Sequence, residues 1–332
     1  MTKHVLSIDG GGIRGIGPAH MLAALDRMVR KSAAEEVRLS QCFDLFVGTS
    51  TGCILAGGLA ADAQLSADLS PEALEKLYRD RGRAMFTPDV FGSNPLDWSH
   101  AKYKTRAKGR VLQEILGDLT LGELDRNFMG TYYNIGASPG PVFAHGGPAY
   151  RANPKENKPE YAKIPVWEVI DASSSAPVYF DPALVEAPGY QAVGVDGGMF
   201  ANNPAMCAYV EAIKLWGPAE EIVVASFGCG YQSVSYPQRS TWGVLEWASP
   251  AKGLPILQVI SHGQSETVSH QAEHILGSDR FYRFDFCLDG LKVRMDDPSV
   301  QNLDRIIAAA DVLLASPACQ ARMAQLAARL RP

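Results

Sequence analysis

The stretch "FDLFVGTSTGCILAGGLA", residues 43 to 60, enters as an apolar run, breaks at Gly48-Thr-Ser-Thr-Gly52 and leaves as a second apolar run. A short apolar segment, a tight Gly-flanked turn and a longer apolar segment read as a buried strand feeding a helix, the repeating unit of an α/β sheet. G-x-S-x-G in that setting thrusts a serine outward on a sharp turn. Gly48 and Gly52 omit the side chains that would clash there, and Ser50 Oγ comes to lie at the N-terminus of the following helix, where the free N–H groups and the helix dipole favour developing negative charge.

Upstream, "LSIDGGGIRGIGP" (6 to 18) repeats the architecture with three consecutive glycines after an apolar run. Glycine weakens regular structure, so such a cluster implies that something approaches the backbone closely. Two chemistries fit: backbone N–H groups that hold a phosphate, or N–H groups that hold the oxyanion formed when an ester carbonyl is attacked. Gly10-x-Gly12-x-x-Gly15 formally matches a dinucleotide fingerprint, which keeps a nucleotide-binding module without hydrolase activity as the alternative reading. Against it, the next strand runs into "GTSTG" instead of ending in the acidic residue that would bind ribose; Glu35 and Glu36 precede that strand.

A serine needs a base. "VGVDGGMFANNP" (193 to 204) offers Asp196 at the end of an apolar run, followed by two glycines that allow a tight turn. Ser50 and Asp196 both fall at carboxyl ends of predicted strands, where open α/β sheets gather their sites. A Ser-His-Asp order would use His262, His270 or His274. The last two form a formal H-x-x-E-H match in "HQAEH", but no third zinc ligand accompanies them, and "SHGQSETVSHQAEHIL" reads as a polar-faced helix.

The 332 residues, 46% of them hydrophobic, suffice for a large packed core, and no repeat, linker or low-complexity tract divides them. The expectation is a single domain over 1–332, α/β, with a central mostly parallel sheet flanked by helices. Strands are predicted at 4–8, 43–48, 131–136, 191–196 and 221–228, apolar on both faces as buried parallel strands are. Helices are predicted over 18–29, from Ser70 with Pro71 at the first position, over 202–216 and from about Asn302. The segments 86–100 and 151–163, rich in Pro and Asn, read as loops, the first carrying Phe86, Phe91, Leu96 and Trp98 either inward or toward lipid. A net charge of −5 argues against nucleic-acid polymers. The six scattered cysteines read as reduced packing residues. No apolar run reaches the roughly 20 residues that span a bilayer, and the N-terminus shows no signal-peptide pattern, so a cytoplasmic location is expected.

Four blocks in order, "DGGGIRG" (9–15), "GTSTG" (48–52), "ASSSAPVYF" (172–180) and "DGGMFANNP" (196–204), resemble those of the patatin-like phospholipases, with "SFGCG" (226–230) similar to a later block. The resemblance implies a patatin-like fold and a Ser-Asp dyad that hydrolyses acyl esters of membrane phospholipids or lysophospholipids without metal or cofactor. By position, Ser50 is the nucleophile, Asp196 the base, and Gly10, Gly11, Gly12 and Arg14 form or support the oxyanion hole, with Arg14 adding charge or bracing the loop. It also implies peripheral contact with the inner membrane surface. The C-terminal third looks similar to patatin-like effectors of bacterial anti-phage defence, which implies a cyclic dinucleotide activator and a homo-oligomer. "KYKTRAKGR" (102–110), with Lys102, Lys104, Arg106, Lys108 and Arg110, is the basic cluster that would serve two phosphates, an anionic membrane or a solvated helix face.

Overall fold

The structure, a computed structural model, describes residues 2–32, 37–88, 100–233, 242–249 and 254–330. Its first half runs β1 (Thr2–Ile8), α1 (Ile16–Ser32), β2 (Leu45–Thr49), α2 (Thr51–Ala61), α3 (Pro71–Met85), α4 (Thr105–Leu116), β3 (Asn127–Asn134), β4 (Gly140–Gly146), α5 (Pro148–Ala152) and α6 (Val166–Ser173). There follow β5 (Ala183–Ala187), β6 (Tyr190–Asp196), α7 (Gly198–Ala201), α8 (Ala205–Trp216), β7 (Glu221–Phe227), α9 (Val244–Trp247), α10 (Pro255–Leu276), β8 (Phe281–Phe284), α11 (Val300–Ala315) and α12 (Pro317–Arg329).

One eight-stranded sheet organises these elements in the order β5-β6-β3-β2-β1-β7-β8, with β4 on the other edge of β3. β3, β2, β1, β7 and β8 run parallel, while β4, β5 and β6 join antiparallel at one side. The expected mostly parallel sheet is therefore present, but "QAVGVD" is not one of its parallel strands: β6 returns from a hairpin with β5 and so meets β3 head to tail. β4, β5 and β8 had no clear signal in the sequence; β5 alternates buried and exposed residues at the margin of the sheet, and β8 spans only four residues and contains Arg283.

Alternation along the central strands separates two cores. Leu6, Ile8, Phe46 and Phe128 face α1, α2, α3, α6, α11 and α12; Val5, Val47, Met129 and Val224 face α8 and α10. The larger core explains why "GCILAGGLA" is apolar all round: every residue of α2 is buried. α3 starts as its signals require, Ser70 Oγ accepting from Ala73 N at 3.4 Å with Pro71 at the first helical position. No single described helix is long and apolar enough to cross a membrane.

Phe86 packs inward against Tyr103 and Phe180, at ring-centroid distances of 5.4 and 5.8 Å. Phe91, Leu96 and Trp98, like Glu35 and Glu36, lie outside the described residues. The 151–163 segment is mostly turns, though α5 ends within it and Tyr161 is buried. All six cysteines are unpaired; Cys42, Cys53, Cys229 and Cys319 are buried as packing residues, whereas Cys287 is exposed.

Candidate active site

One edge of β3 brings Ser50 and Asp196 together. β4 occupies the opposite edge along residues 128–134, so β2, paired to residues 127–131, and β6, paired to 132–134, must share the remaining one. They approach from opposite directions, and both stop at the join: Thr49 pairs with Thr131 and Asp196 with Tyr132. Each strand's carboxyl end thus delivers its residue to the same point, although the two lie 146 positions apart.

At that point Ser50 turns the chain with φ 56° and ψ −124°, a conformation that a non-glycine residue keeps only when its surroundings enforce it. The enforcement is close packing. A Cβ on Gly48 would lie 2.2 Å from Gly52 O, and one on Gly52 would lie 2.1 Å from Ile8 O, so α2 crosses the end of β1 in backbone contact. Gly52→Ala must push these backbones apart, and loss of about 3 kcal/mol or more is expected, read as a large fall in melting temperature or loss of the folded protein. A variant that melts with the wild type would contradict this account of the elbow.

Ser50 Oγ donates to Asp196 Oδ2 at 2.6 Å; Asp196 Oδ1 accepts from Gly198 N at 2.7 Å. Two serines at the end of α6 and just beyond it steady the pair: Ser50 N donates to Ser173 Oγ at 2.9 Å, and Asp196 N to Ser175 O at 3.0 Å. Burial drives the Asp196 carboxyl up to about 6, with Ser50, Gly198 and Lys108 pulling the other way. The carboxylate is thereby a better proton acceptor than an exposed one and still ionised at neutral pH. His262 stands exposed on the wall of the same cavity and bonds to neither residue; His270 and His274 are exposed further along α10. Among the described residues no group of three His, Cys, Asp or Glu side chains is arranged to hold a metal.

The glycine loop lies against this pair. Gly10 N donates to Asn202 O at 2.9 Å, whereas the N–H groups of Gly11 and Gly12 have no protein acceptor among the described residues. Arg14 Nε donates to Gly11 O and Arg14 Nη1 to Gly230 O, both at 3.3 Å. Because the peptide is trans, a carbonyl of Gly11 held by Arg14 turns the Gly12 N–H the opposite way. Of the two roles expected for Arg14, these contacts are those of a brace. Gly12 takes φ +62°, and a Cβ there would meet Met295 O at 2.2 Å.

Asp9, which opens the loop, is buried and held by a residue that the sequence reading did not single out. Arg283 donates from Nη1 to Asp9 Oδ1 at 2.8 Å and from Nη2 to Asp9 Oδ2 at 2.6 Å, and it also reaches Asp285 and Ser226. Ser265 Oγ, on α10, donates to Asp9 Oδ2 at 3.1 Å. The signal was a lone arginine inside the apolar run "FYRF", which needs a buried anion to justify it.

The model of the patatin-like phospholipase family matches residues 6–209 of this sequence. The chain belongs to that family. Among its relatives, Patatin-like protein 2 of Oryza sativa subsp. indica is 26% identical over 344 residues, covering 93% of this chain and 83% of the relative. Calcium-independent phospholipase A2-gamma of Mus musculus is 27% identical over 313 residues, covering 91% of this chain but only 37% of that longer protein. VipD from Legionella pneumophila, a solved structure, superposes with a TM-score of 0.45 at 13% identity, over 94% of this chain and 66% of its own. As a patatin-like phospholipase the chain is a lipid acyl hydrolase, an enzyme of carboxylic esters.

Two connected spaces surround Ser50 in this patatin-like domain. A cavity of about 400 Å³ opens between the glycine loop and α10. A narrower apolar slot of about 50 Å³ continues past Ser50 between Ile54, Tyr78, Met85 and Phe180. The basic run beside it divides by orientation. Lys102 is paired with Asp296, and Lys108 is buried beneath the site, which leaves Lys104, Arg106 and Arg110 exposed. A five-cation face of the kind expected for a dinucleotide activator is therefore not formed: α4 is amphipathic, and Lys108 sits on its inner side.

Proposed function

We propose that this patatin-like enzyme cleaves fatty-acyl esters of phospholipids or lysophospholipids through a Ser50–Asp196 dyad. The observation that carries the reading is the 2.6 Å bond from Ser50 Oγ to Asp196 Oδ2 where the large cavity meets the slot. Asp196 takes the Ser50 proton as Oγ attacks the acyl carbonyl. The oxyanion accepts from the N–H groups of Gly11 and Gly12. The tetrahedral intermediate collapses by breaking the ester C–O bond, and protonated Asp196 gives its proton to the departing alcohol oxygen. A water then repeats the sequence on the acyl-serine: Asp196 takes its proton, the carboxylic acid leaves, and Ser50 recovers its hydrogen.

The cavity mouth supports a lipid-facing orientation. Met199, which is exposed, and Leu257 line the cavity. An apolar wall with one exposed member suits the acyl part of a lipid. A peripheral encounter with a membrane surface would place the ester at Ser50 without extracting the whole lipid.

The test is fatty-acid release from phospholipid vesicles together with the pH dependence of kcat/KM on a soluble ester. Only ionised Asp196 accepts a proton, so the rate should rise about tenfold per pH unit below about 6 and level off above it. A limb centred near 7 that disappears in His262→Gln would transfer the base to histidine and overturn the dyad.

A further inference from the structure

Lys108 is the described residue least expected of a surface cluster, since its side chain is 3% exposed. Its Nζ donates to Asp171 O at 2.9 Å, to Ser174 Oγ at 2.9 Å and to Ser175 Oγ at 3.1 Å, and lies 3.2 Å from Asp171 Oδ1. The Phe180 ring covers the ammonium at 4.5 Å. Burial lowers the pKa of this ammonium, and Asp171, as ion-pair and hydrogen-bond partner, draws it back up.

That charge stands beside the proposed dyad. Lys108, Ser50 and Asp196 line the same slot, and the turn that Lys108 holds is the one whose Ser175 carbonyl receives Asp196 N–H. We propose that Lys108 is a positioning residue of the reaction, which fixes Asp196 through the Ser174–Ser175 turn and favours its proton-accepting, ionised form by proximity of charge. The inference rests on the dyad reading above.

The groups that face Asp196 are few. Ser50 bonds to it from the elbow, Gly198 N–H from α7 and Lys108 acts from α4, with Asp171 at the end of α6 opposing Lys108. Cys53 on α2 is close as well, but burial pushes its thiol up to about 12, so it stays neutral. Lys108 is thus the charged side chain beside Asp196 that can move the acidic limb of the reaction, and Asp171 acts on that limb through Lys108.

The experiment compares Lys108→Met, Lys108→Arg and Asp171→Asn in the full chain, reading kcat/KM on a soluble ester and fluorophosphonate labelling of Ser50 from pH 5 to 9. Loss of the cation should shift the acidic limb of Lys108→Met upward by about one pH unit, so that the rate falls about tenfold at pH 6 and recovers toward wild type at pH 9. Lys108→Arg keeps the charge and should keep the limb in place. Asp171→Asn leaves the ammonium buried without its counter-charge, so Lys108 holds its proton less tightly, and it should shift the limb upward, in the same direction as Lys108→Met. A Lys108→Met profile with its limb unmoved, whether at full or uniformly reduced height, overturns the proposal. If that variant does not melt cooperatively, Asp171→Asn decides, and a limb that stays or moves downward overturns it. Ser50→Ala and Asp196→Asn are run alongside: turnover in either defeats the dyad itself, whereas two inactive variants beside an unmoved Lys108→Met limb defeat only the role of Lys108.

Discussion

Ser50→Ala and Asp196→Asn should each lower kcat for ester hydrolysis by about 10⁴-fold or more, because nucleophile and base act as one unit. The double variant should be hardly worse than either single one. Both side chains are small and both sit in turns fixed by backbone bonds, Ser50 N to Ser173 and Asp196 N to Ser175, so the fold should survive. Asp196→Asn should in fact unfold later than wild type at pH 8. A carboxyl whose folded pKa is raised to about 6 favours the protonated native state, so ionisation above that pH weakens the fold, and an amide removes the burden. The advantage should shrink as pH falls toward 4, where Asp196 is neutral. Steady-state kinetics with urea unfolding at both pH values provides the check, and near-wild-type turnover by Asp196→Asn would defeat the assignment.

Arg283→Met should be the most destabilising side-chain change near the site without touching Ser50 or Asp196. It strips the bidentate partner from Asp9 and takes the ion-pair partner from Asp285 as well. Removing one member of a buried ion pair typically destabilises by about 3–5 kcal/mol, since the other charge remains out of water. Burial, with Asp285 nearby, already holds the Asp9 carboxyl above its usual range, and loss of Arg283 lifts it further. The folded variant then binds its proton more tightly than the unfolded chain does, so the deficit against wild type should be largest at pH 8 and smaller at pH 5. Urea midpoints at the two pH values decide it, and equal deficits would show that lost packing, not stranded charge, is responsible.

How much was legible followed from how local each signal is. Ser50 could be read from eighteen residues, because strand, elbow and helix are contiguous. Asp196 could be read as a strand end, but its meeting with Ser50 depends on β3 pairing with both β2 and β6, a contact no spacing encodes. The direction of β6 is hidden for the same reason: apolar character reports burial, and the hairpin with β5 sets the orientation. Lys108 was grouped with four neighbours because composition carries no facing; its partners Asp171, Ser174 and Ser175 come 63 to 67 residues later. Arg283 answers an aspartate 274 residues before it.

These separations set a timetable for the emerging chain. A ribosome releases the serine arm long before β6 exists to complete it, and the arginine that clamps the glycine loop is made later still. During synthesis the half-finished polypeptide holds Ser50 without Asp196 and Asp9 without Arg283. Ester hydrolysis that needs Ser50 and Asp196 together must therefore wait until β6 has joined β3.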